Sequence, residues 1–311
     1  MPCILGNIRN GANSRRRKAG GPKKNRLIRF IFSETALSFR WAGNLECVAM
    51  TMNRRELSNQ TAVVTGATSG IGAAIAKGLS AAGANVAFCG RRRAEGEDVV
   101  QQIKSDGGDT YFEVCDVGSG AALAAFVDNV VQRYGRLDIA VNCAGISCPD
   151  TKLADIEESD FDTMIAVNLR GVWLAMKYEI RQFLAQGSGG SIVNMGSILG
   201  HAVMGAPAQY SSGHYVAAKH GVEGLTKAAA MDYGRSGIRV NSISPGIVAT
   251  AFSDHLIEAG VPVITNFIAQ TALGRLATVD DIVGAALFLA SDASSYITGS
   301  TIVVDGGYLA Q

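Results

Sequence analysis

"TGATSGIG" occupies residues 65–72, between the β-branched run "TAVVT" (61–65) and a helical stretch that extends to about Gly83. Three glycines where a strand becomes a helix give a turn that few other residues can make. Gly66 permits the tight turn, Gly70 lets the backbone approach a pyrophosphate, and Gly72 allows the helix to pack against the sheet. The helix N-terminus then faces the phosphate charge. The spacing is Gly-x3-Gly-x-Gly rather than the commoner G-x-G-x-x-G, and an ordinary β-to-α turn would need no ligand. Its place between the first strand and the first helix of an alternating series is what points to a dinucleotide.

That series extends along the chain. "NVAFCG" (85–90), "TYFEV" (110–114), "DIAVN" (138–142), "SIVNM" (191–195), "RVNSI" (239–243) and "TIVVD" (301–305) read as further strands. Between them, Leu123, Phe126, Val127, Val130, Val131 and Tyr134 mark one apolar helix face. A long helix is expected from about Asp160 to Ala185, and another runs through Tyr215 to about Tyr233. Nearly all-apolar strands separated by helices require a parallel sheet covered on both faces. The predicted fold is therefore α/β, a Rossmann-type doubly wound seven-stranded parallel sheet, in a single domain over residues 53–311.

The end of the second strand decides which dinucleotide fits. An acidic residue there would bind a ribose 2′-hydroxyl, whereas an arginine accommodates a 2′-phosphate. The strand runs into "FCGRRR" (88–93), with no acid, so Arg91 or Arg92 can make charge-assisted bonds to a phosphate and Gly90 leaves space for it. NADP(H) is favoured over NAD(H), although both arginines can also serve as solvent-facing residues at a helix start.

Composition sets the bounds. The 311 residues are 48% hydrophobic and 18% charged, with 37 glycines, which suits a globular chain rich in tight turns. The net charge of +1 hides an asymmetry: residues 1–50 carry ten Lys or Arg against two acids, leaving 18 against 25 in the remainder. "RRRK" (15–18) and "KKNR" (23–26) flank Gly20, Gly21 and Pro22, which disfavours a helix, so residues 1–52 are expected to be a largely unfolded basic extension. Nucleic-acid binding, a nuclear address and an organelle presequence are open readings of it. So is a plain solvated extension, or sequence upstream of a start at Met50 or Met52. No apolar run approaches a membrane span. The six cysteines (Cys3, Cys47, Cys89, Cys115, Cys143 and Cys148) form no CxxC pair, which argues against a metal site and for reduced thiols in a cytoplasmic protein.

At this point the chain resembles the short-chain dehydrogenase/reductase family, in its shorter-chain branch, over about residues 57–308. Eight motifs in order carry the resemblance: "TGATSGIG" (65–72), "CDV" (115–117), "NCAG" (142–145), Asn168 in "VNLRG", Ser197 in "NMGS", "YVAAK" (215–219), "PGIVAT" (245–250) and "GSTIVVDGG" (299–307). It implies a cofactor site made of Gly66, Ser69, Gly70, Ile71 and Gly72, with Arg91 and Arg92 beyond them. Asp116 and Val117 would border the adenine. Asn142 would support the central strand beside Ala144 and Gly145, and Pro245, Gly246, Ile247 and Thr250 would reach the nicotinamide with Tyr215 and Lys219. The implied catalytic residues are Asn168, Ser197, Tyr215 and Lys219, and no metal is implied.

The chemistry asks for the same residue types. Reducing a ketone needs a proton donor at the carbonyl oxygen as hydride reaches carbon, and a phenol with a pKa near 10 is poorly matched to neutral pH. A neighbouring ammonium favours the phenolate. Tyr215 has Lys219 one helical turn on, whereas Tyr210 has only His214, so Tyr215 receives the acid/base role. Ser197 would bond the substrate oxygen, and Asn168, by resemblance, would hold a water in a relay toward Lys219.

Ser197 stands 18 residues before Tyr215, about five more than the family spacing, so the extra residues are expected in the loop 198–214, where Tyr210 or His214 is a candidate for substrate contact. By resemblance, residues 251–273 form a lid whose Phe252, Leu256 and Phe267 meet an alcohol or ketone, or simply pack. A 3-oxoacyl thioester reductase and a non-catalytic NADP(H)-sensing protein are the alternatives. The resemblance also implies a homotetramer built through the two long helices, with a small-molecule alcohol or ketone as substrate and neither nucleic acid nor membrane as partner.

Overall fold

The apolar runs form β1 (Thr61–Thr65), β2 (Asn85–Gly90), β3 (Thr110–Val114), β4 (Ile139–Asn142), β5 (Gly190–Met195), β6 (Ile238–Pro245) and β7 (Thr301–Val304). The computed structural model describes residues 56–148, 151–204, 212–254 and 262–311. The basic extension (1–52), Tyr210 and Leu256 lie outside the described residues. All strand pairs are parallel, in the order β3-β2-β1-β4-β5-β6-β7.

Alternate residues of each strand enter opposite cores, as a pleated strand requires. Val64, Phe88, Val141 and Val193 face the layer of α1 (Gly70–Ala81), α2 (Arg93–Ser105) and α8 (Val279–Ala290). Val63, Ala87, Ala140 and Ile192 face α3 (Gly120–Tyr134), α5 (Gly171–Gln186) and α6 (Gly213–Tyr233). On α3, Leu123, Phe126, Val127 and Val130 are buried, while Val131 and Tyr134 pack at the margin. Truncating Phe126 to alanine would cost about 3–5 kcal/mol on that ground alone. Local signals stop the helices: Ser119 caps α3 by accepting from the Ala122 amide, and Gly135 ends it at a φ of 78°.

Several boundaries differ from expectation, most by a single residue. Asp138 precedes β4 because its carboxylate accepts the Thr61 amide at 2.8 Å and binds Arg136. β6 continues to Pro245, which donates nothing to the ladder and sits at the strand's end. The helix expected from 160 to 185 begins at Glu158 as α4 (Glu158–Ile165) and reaches α5 through a π-helical turn, Ala166–Arg170, closed by a bond from the Gly171 amide to the Ala166 carbonyl. Within the predicted lid, α7 (Pro262–Gln270) packs Phe267 under Tyr308, with ring centroids 4.6 Å apart, so Phe267 is a packing residue. No helix among the described residues is long and apolar enough to cross a membrane.

Strand order reverses between β1 and β4. In an open parallel sheet the crevice outside the carboxyl ends of the strands at such a point is where ligands bind.

Candidate active site

A cleft of about 390 Å³ opens at that point. Nineteen of the twenty site residues chosen from sequence line it; Asn142 does not. Asn142 is buried behind the cleft, where its side-chain nitrogen donates to Glu179 at 3.0 Å and to Asn194 at 3.1 Å. Its contribution is to bind α5 and β5 to β4, because the amide points into the sheet.

The glycine turn is as tight as its composition implies. Gly66 has a φ of +70°, and a Cβ there would stand 2.4 Å from the Ala144 Cα. A Cβ at Gly72 would meet the Gly66 carbonyl at 2.5 Å, so this glycine closes the turn against itself rather than against the sheet. Ser69, the residue before α1, makes no side-chain cap and the first turn holds no acid, which leaves the leading amides for an anion.

The arginines lie at the far end of this turn. Arg92 donates to the Thr68 hydroxyl at 3.1 Å and also to the Ser69 hydroxyl, with Glu95 3.7 Å away. Gly90 does not hold space open as expected, since a Cβ there would strike the Thr68 methyl at 2.6 Å. Across the cleft, Asp116 accepts the Gly118 amide at 2.9 Å and Val117 is buried beside it. A Gly-rich turn and an uncapped helix start together fit the phosphates of a dinucleotide.

At the other end, β5 delivers Ser197 and α6 delivers Tyr215 and Lys219. Ser197 accepts the Leu199 amide at 3.1 Å, which fixes its Oγ at the mouth of a short 3-10 turn. The Lys219 Nζ donates to the Met195 carbonyl at 2.7 Å and stands 5.6 Å from the centre of the Tyr215 ring. Burial pushes the Lys219 ammonium down to about 8, against weaker opposing pulls from Cys143 and Glu223. Ser197, Tyr215 and Lys219 therefore converge on one wall.

Asn168 sits in the π-helical turn. Its Oδ1 accepts the Ile146 amide at 2.8 Å and its Nδ2 donates to the Ile146 carbonyl at 2.9 Å, so this side chain clamps the segment after "NCAG". A water relay that runs through Asn168 cannot depend on a free side-chain amide.

α6 begins at Gly213 and is unbroken to Tyr233, so the extra residues before Tyr215 precede the helix. His214 is not among the described residues that line the cleft. It is buried, its Nδ1 has no hydrogen-bond partner, and burial lowers its pKa. Several features escaped the sequence reading. Thr68 receives Arg92; Ile198, Leu199 and Met204 line the wall beside Tyr215; and Cys143 forms the floor. Glu223, one turn after Lys219, lies under the site and accepts the hydroxyls of Ser242 at 2.6 Å, Ser244 at 3.0 Å and Thr301. Only the alternation of small polar residues in "NSIS" hinted at that last cluster.

A family model described as Enoyl-(Acyl carrier protein) reductase matches residues 66–309. The chain is 39% identical over 262 residues to a short chain dehydrogenase/reductase of Aspergillus oryzae, covering 83% of this chain and 98% of that one. It is 40% identical over 257 residues to the 2,5-dichloro-2,5-cyclohexadiene-1,4-diol dehydrogenase of Sphingobium indicum, covering 82% and 99%. Among solved structures, a gluconate 5-dehydrogenase from Burkholderia cenocepacia in complex with NADP and tartrate superposes with a TM-score of 0.77 at 32% identity, over 83% of this chain and 98% of that one.

Proposed function

The chain belongs to the short-chain dehydrogenase/reductase family of oxidoreductases, and from that premise we propose that it interconverts a secondary alcohol and a ketone, with NADP(H) as the preferred cofactor and Tyr215 as the acid/base. The observation that carries the reading is the buried Lys219 ammonium, tied to the Met195 carbonyl and lying against the Tyr215 ring.

When bound, the nicotinamide supplies or takes the hydride. The protein's residues manage the substrate oxygen and its proton. Ser197 donates to that oxygen, its own Oγ already oriented by the Leu199 amide. Tyr215 gives the oxygen a proton in reduction and removes it in oxidation, and the adjacent ammonium stabilises the phenolate left behind. Asn168 keeps the loop after β4 in place beneath them through Ile146. A sensor that only bound the cofactor would need none of this proton chemistry.

Preference for NADP(H) is supported by Arg91 and Arg92 at the end of β2 and by the want of an acid there; the Burkholderia relative holds NADP. The Sphingobium relative, by its name, oxidises a ring diol, which favours cyclic secondary alcohols here. The second reading, a 3-oxoacyl thioester reductase, draws on a 3-oxoacyl-(acyl-carrier-protein) reductase of Staphylococcus aureus, to which the chain is 38% identical over 250 residues, covering 80% of this chain and 97% of that one. Four described cysteines are free thiols, in keeping with a cytoplasmic protein. Trp173 and Met231, exposed on α5 and α6, suit a homotetramer, which sizing chromatography would test.

A nicotinamide-fluorescence titration with NADPH and NADH in parallel tests the cofactor. Tighter NADPH binding is expected. Equal or tighter NADH binding would remove the role given to the arginines, and binding of neither would remove the enzyme reading altogether.

A further inference from the structure

Behind the wall that carries Ser197 and Tyr215 lies a buried polar cluster that the reaction described above does not use. Its centre is Glu223, 4% exposed and one turn beyond Lys219 on α6, which places both on one helix face. Three hydroxyls close on the carboxylate: Ser242 at 2.6 Å and Ser244 at 3.0 Å from β6, and Thr301 from β7. A carboxyl that receives three donors is suited to its ionised form, because hydrogen bonds to the charged state favour it.

Two glycines show where that charge sits. A Cβ on Gly196 would strike the Glu223 Oε1 and stand 2.7 Å from the Ser244 Oγ, so the carboxylate is pressed against the main chain between Met195 and Ser197. Met195 supplies the carbonyl that holds the Lys219 ammonium at 2.7 Å. A Cβ on Gly200 would meet the Lys219 carbonyl at 3.0 Å and the Glu223 Cγ at 3.3 Å. The carboxylate thus backs both the segment that anchors Lys219 and the turn that follows Ser197.

The cluster reaches solvent through His201, whose side chain is 30% exposed. Its Nε2 lies 3.0 Å from the Ser244 Oγ and 3.7 Å from the Glu223 Oε1. The titratable groups bearing on Lys219 are Tyr215 and Glu223 on α6 and Cys143 after β4; those bearing on Glu223 are Lys219 and His201. With Cys143 kept a neutral thiol by burial, Glu223 is the standing negative charge of the set. Burial works against the Lys219 ammonium and this anion works for it, with little solvent between them to screen the attraction.

We propose that Glu223 is a positioning residue for the reaction: its carboxylate, held by the β6 and β7 hydroxyls, is the counter-charge that keeps Lys219 an ammonium beside Tyr215, and His201 is the solvent-facing group through which that charge can be offset. The inference rests on the roles given to Tyr215 and Lys219 above and deepens them. Glu223 is not among the residues that line the cleft, so it acts through Lys219.

The test reads the protonation midpoint of Lys219 from the pH dependence of its ε-carbon NMR resonance in the full chain carrying isotope-labelled lysine, with Lys219→Arg to assign the signal. Glu223→Gln keeps an oxygen for the hydroxyls and removes the charge. It should lower the midpoint by about one pH unit, and the alkaline fall of kcat for 4-methylcyclohexanone with NADPH should move down with it. His201→Lys places a fixed cation at a part-exposed position and should lower the midpoint by about half as much. His201→Gln should leave it in place. A midpoint unmoved in Glu223→Gln, or in His201→Lys should the first variant not fold, would overturn the inference. So would a midpoint that drops while the kcat profile keeps its wild-type position. The midpoint is read without substrate, so a wild-type chain that binds NADPH and reduces no ketone would remove the ketone-reductase reading alone, and the midpoints of the variants would still decide this one.

Discussion

Lys219 carries its charge in a place that opposes it. Burial lowers its pKa to about 8, so the ammonium persists at neutral pH and is lost as pH rises past that value. Because the folded state sheds this proton before the unfolded state does, the cost of burying the charge is present below about pH 8 and relieved between there and the ordinary lysine range. Catalysis should move the opposite way. The rate of ketone reduction at saturating substrate is expected to fall above about pH 8 as the positive neighbour of Tyr215 disappears. A kcat profile that stayed flat from pH 6 to 10 would contradict this. At the other end of the cleft, Arg92→Ala should weaken NADPH binding roughly 10–100-fold and leave NADH little changed, the ordinary range for losing charge-assisted bonds to a phosphate. Parallel weakening of both cofactors would mean that Arg92 supports the turn through Thr68 and Ser69 and reads no phosphate.

α6 shows at the scale of an element what the sequence could and could not disclose. Tyr215 and Lys219 were legible because one helical turn relates them, and the helix ends at Tyr233, where it was expected. Glu223 was not legible. Eight residues after Tyr215 it looks like a solvated helix position, whereas its hydroxyl partners lie 19, 21 and 78 residues further along. Bonds of that range leave no local pattern. For the same reason the π-helical turn at Asn168 escaped notice, since its counterpart is the main chain of Ile146. Glu223→Ala should destabilise the fold by about 2–4 kcal/mol by leaving buried hydroxyls unpaired, lowering the melting temperature by about 4–12 °C for a chain of this size. A melting temperature unchanged within about 1 °C would show that water replaces the carboxylate at no cost.

For the molecule as a whole, the seven strands could be read almost to the residue because the central ones are buried and largely apolar on both faces, a pattern that few alternatives produce. The sheet's interior polar network could not. Asn142, expected to support the central strand, does so through a network with Glu179, Asn194 and Thr226 between the sheet and its helices. Burial pushes the Glu179 carboxyl up to about 8, partly offset by the Asn142 amide. A carboxyl raised in the folded state contributes stability that is fully present below its ordinary pKa and lost as pH rises toward about 8. Glu179→Gln, which keeps an oxygen for the Asn142 amide, should therefore raise the melting temperature more at pH 8 than at pH 5. An equal change at both would place the ionisation elsewhere.

The most direct measurement is single-turnover oxidation of bound NADPH by 4-methylcyclohexanone in the wild-type chain, Tyr215→Phe and Tyr210→Phe, with NADPH affinity measured on the same samples. Tyr215→Phe should lose about 10²–10⁴-fold in rate while its NADPH affinity stays within about threefold, and Tyr210→Phe should remain close to wild type. Retention of most of the rate by Tyr215→Phe, or an equal loss in Tyr210→Phe, would contradict the assignment of the proton to Tyr215.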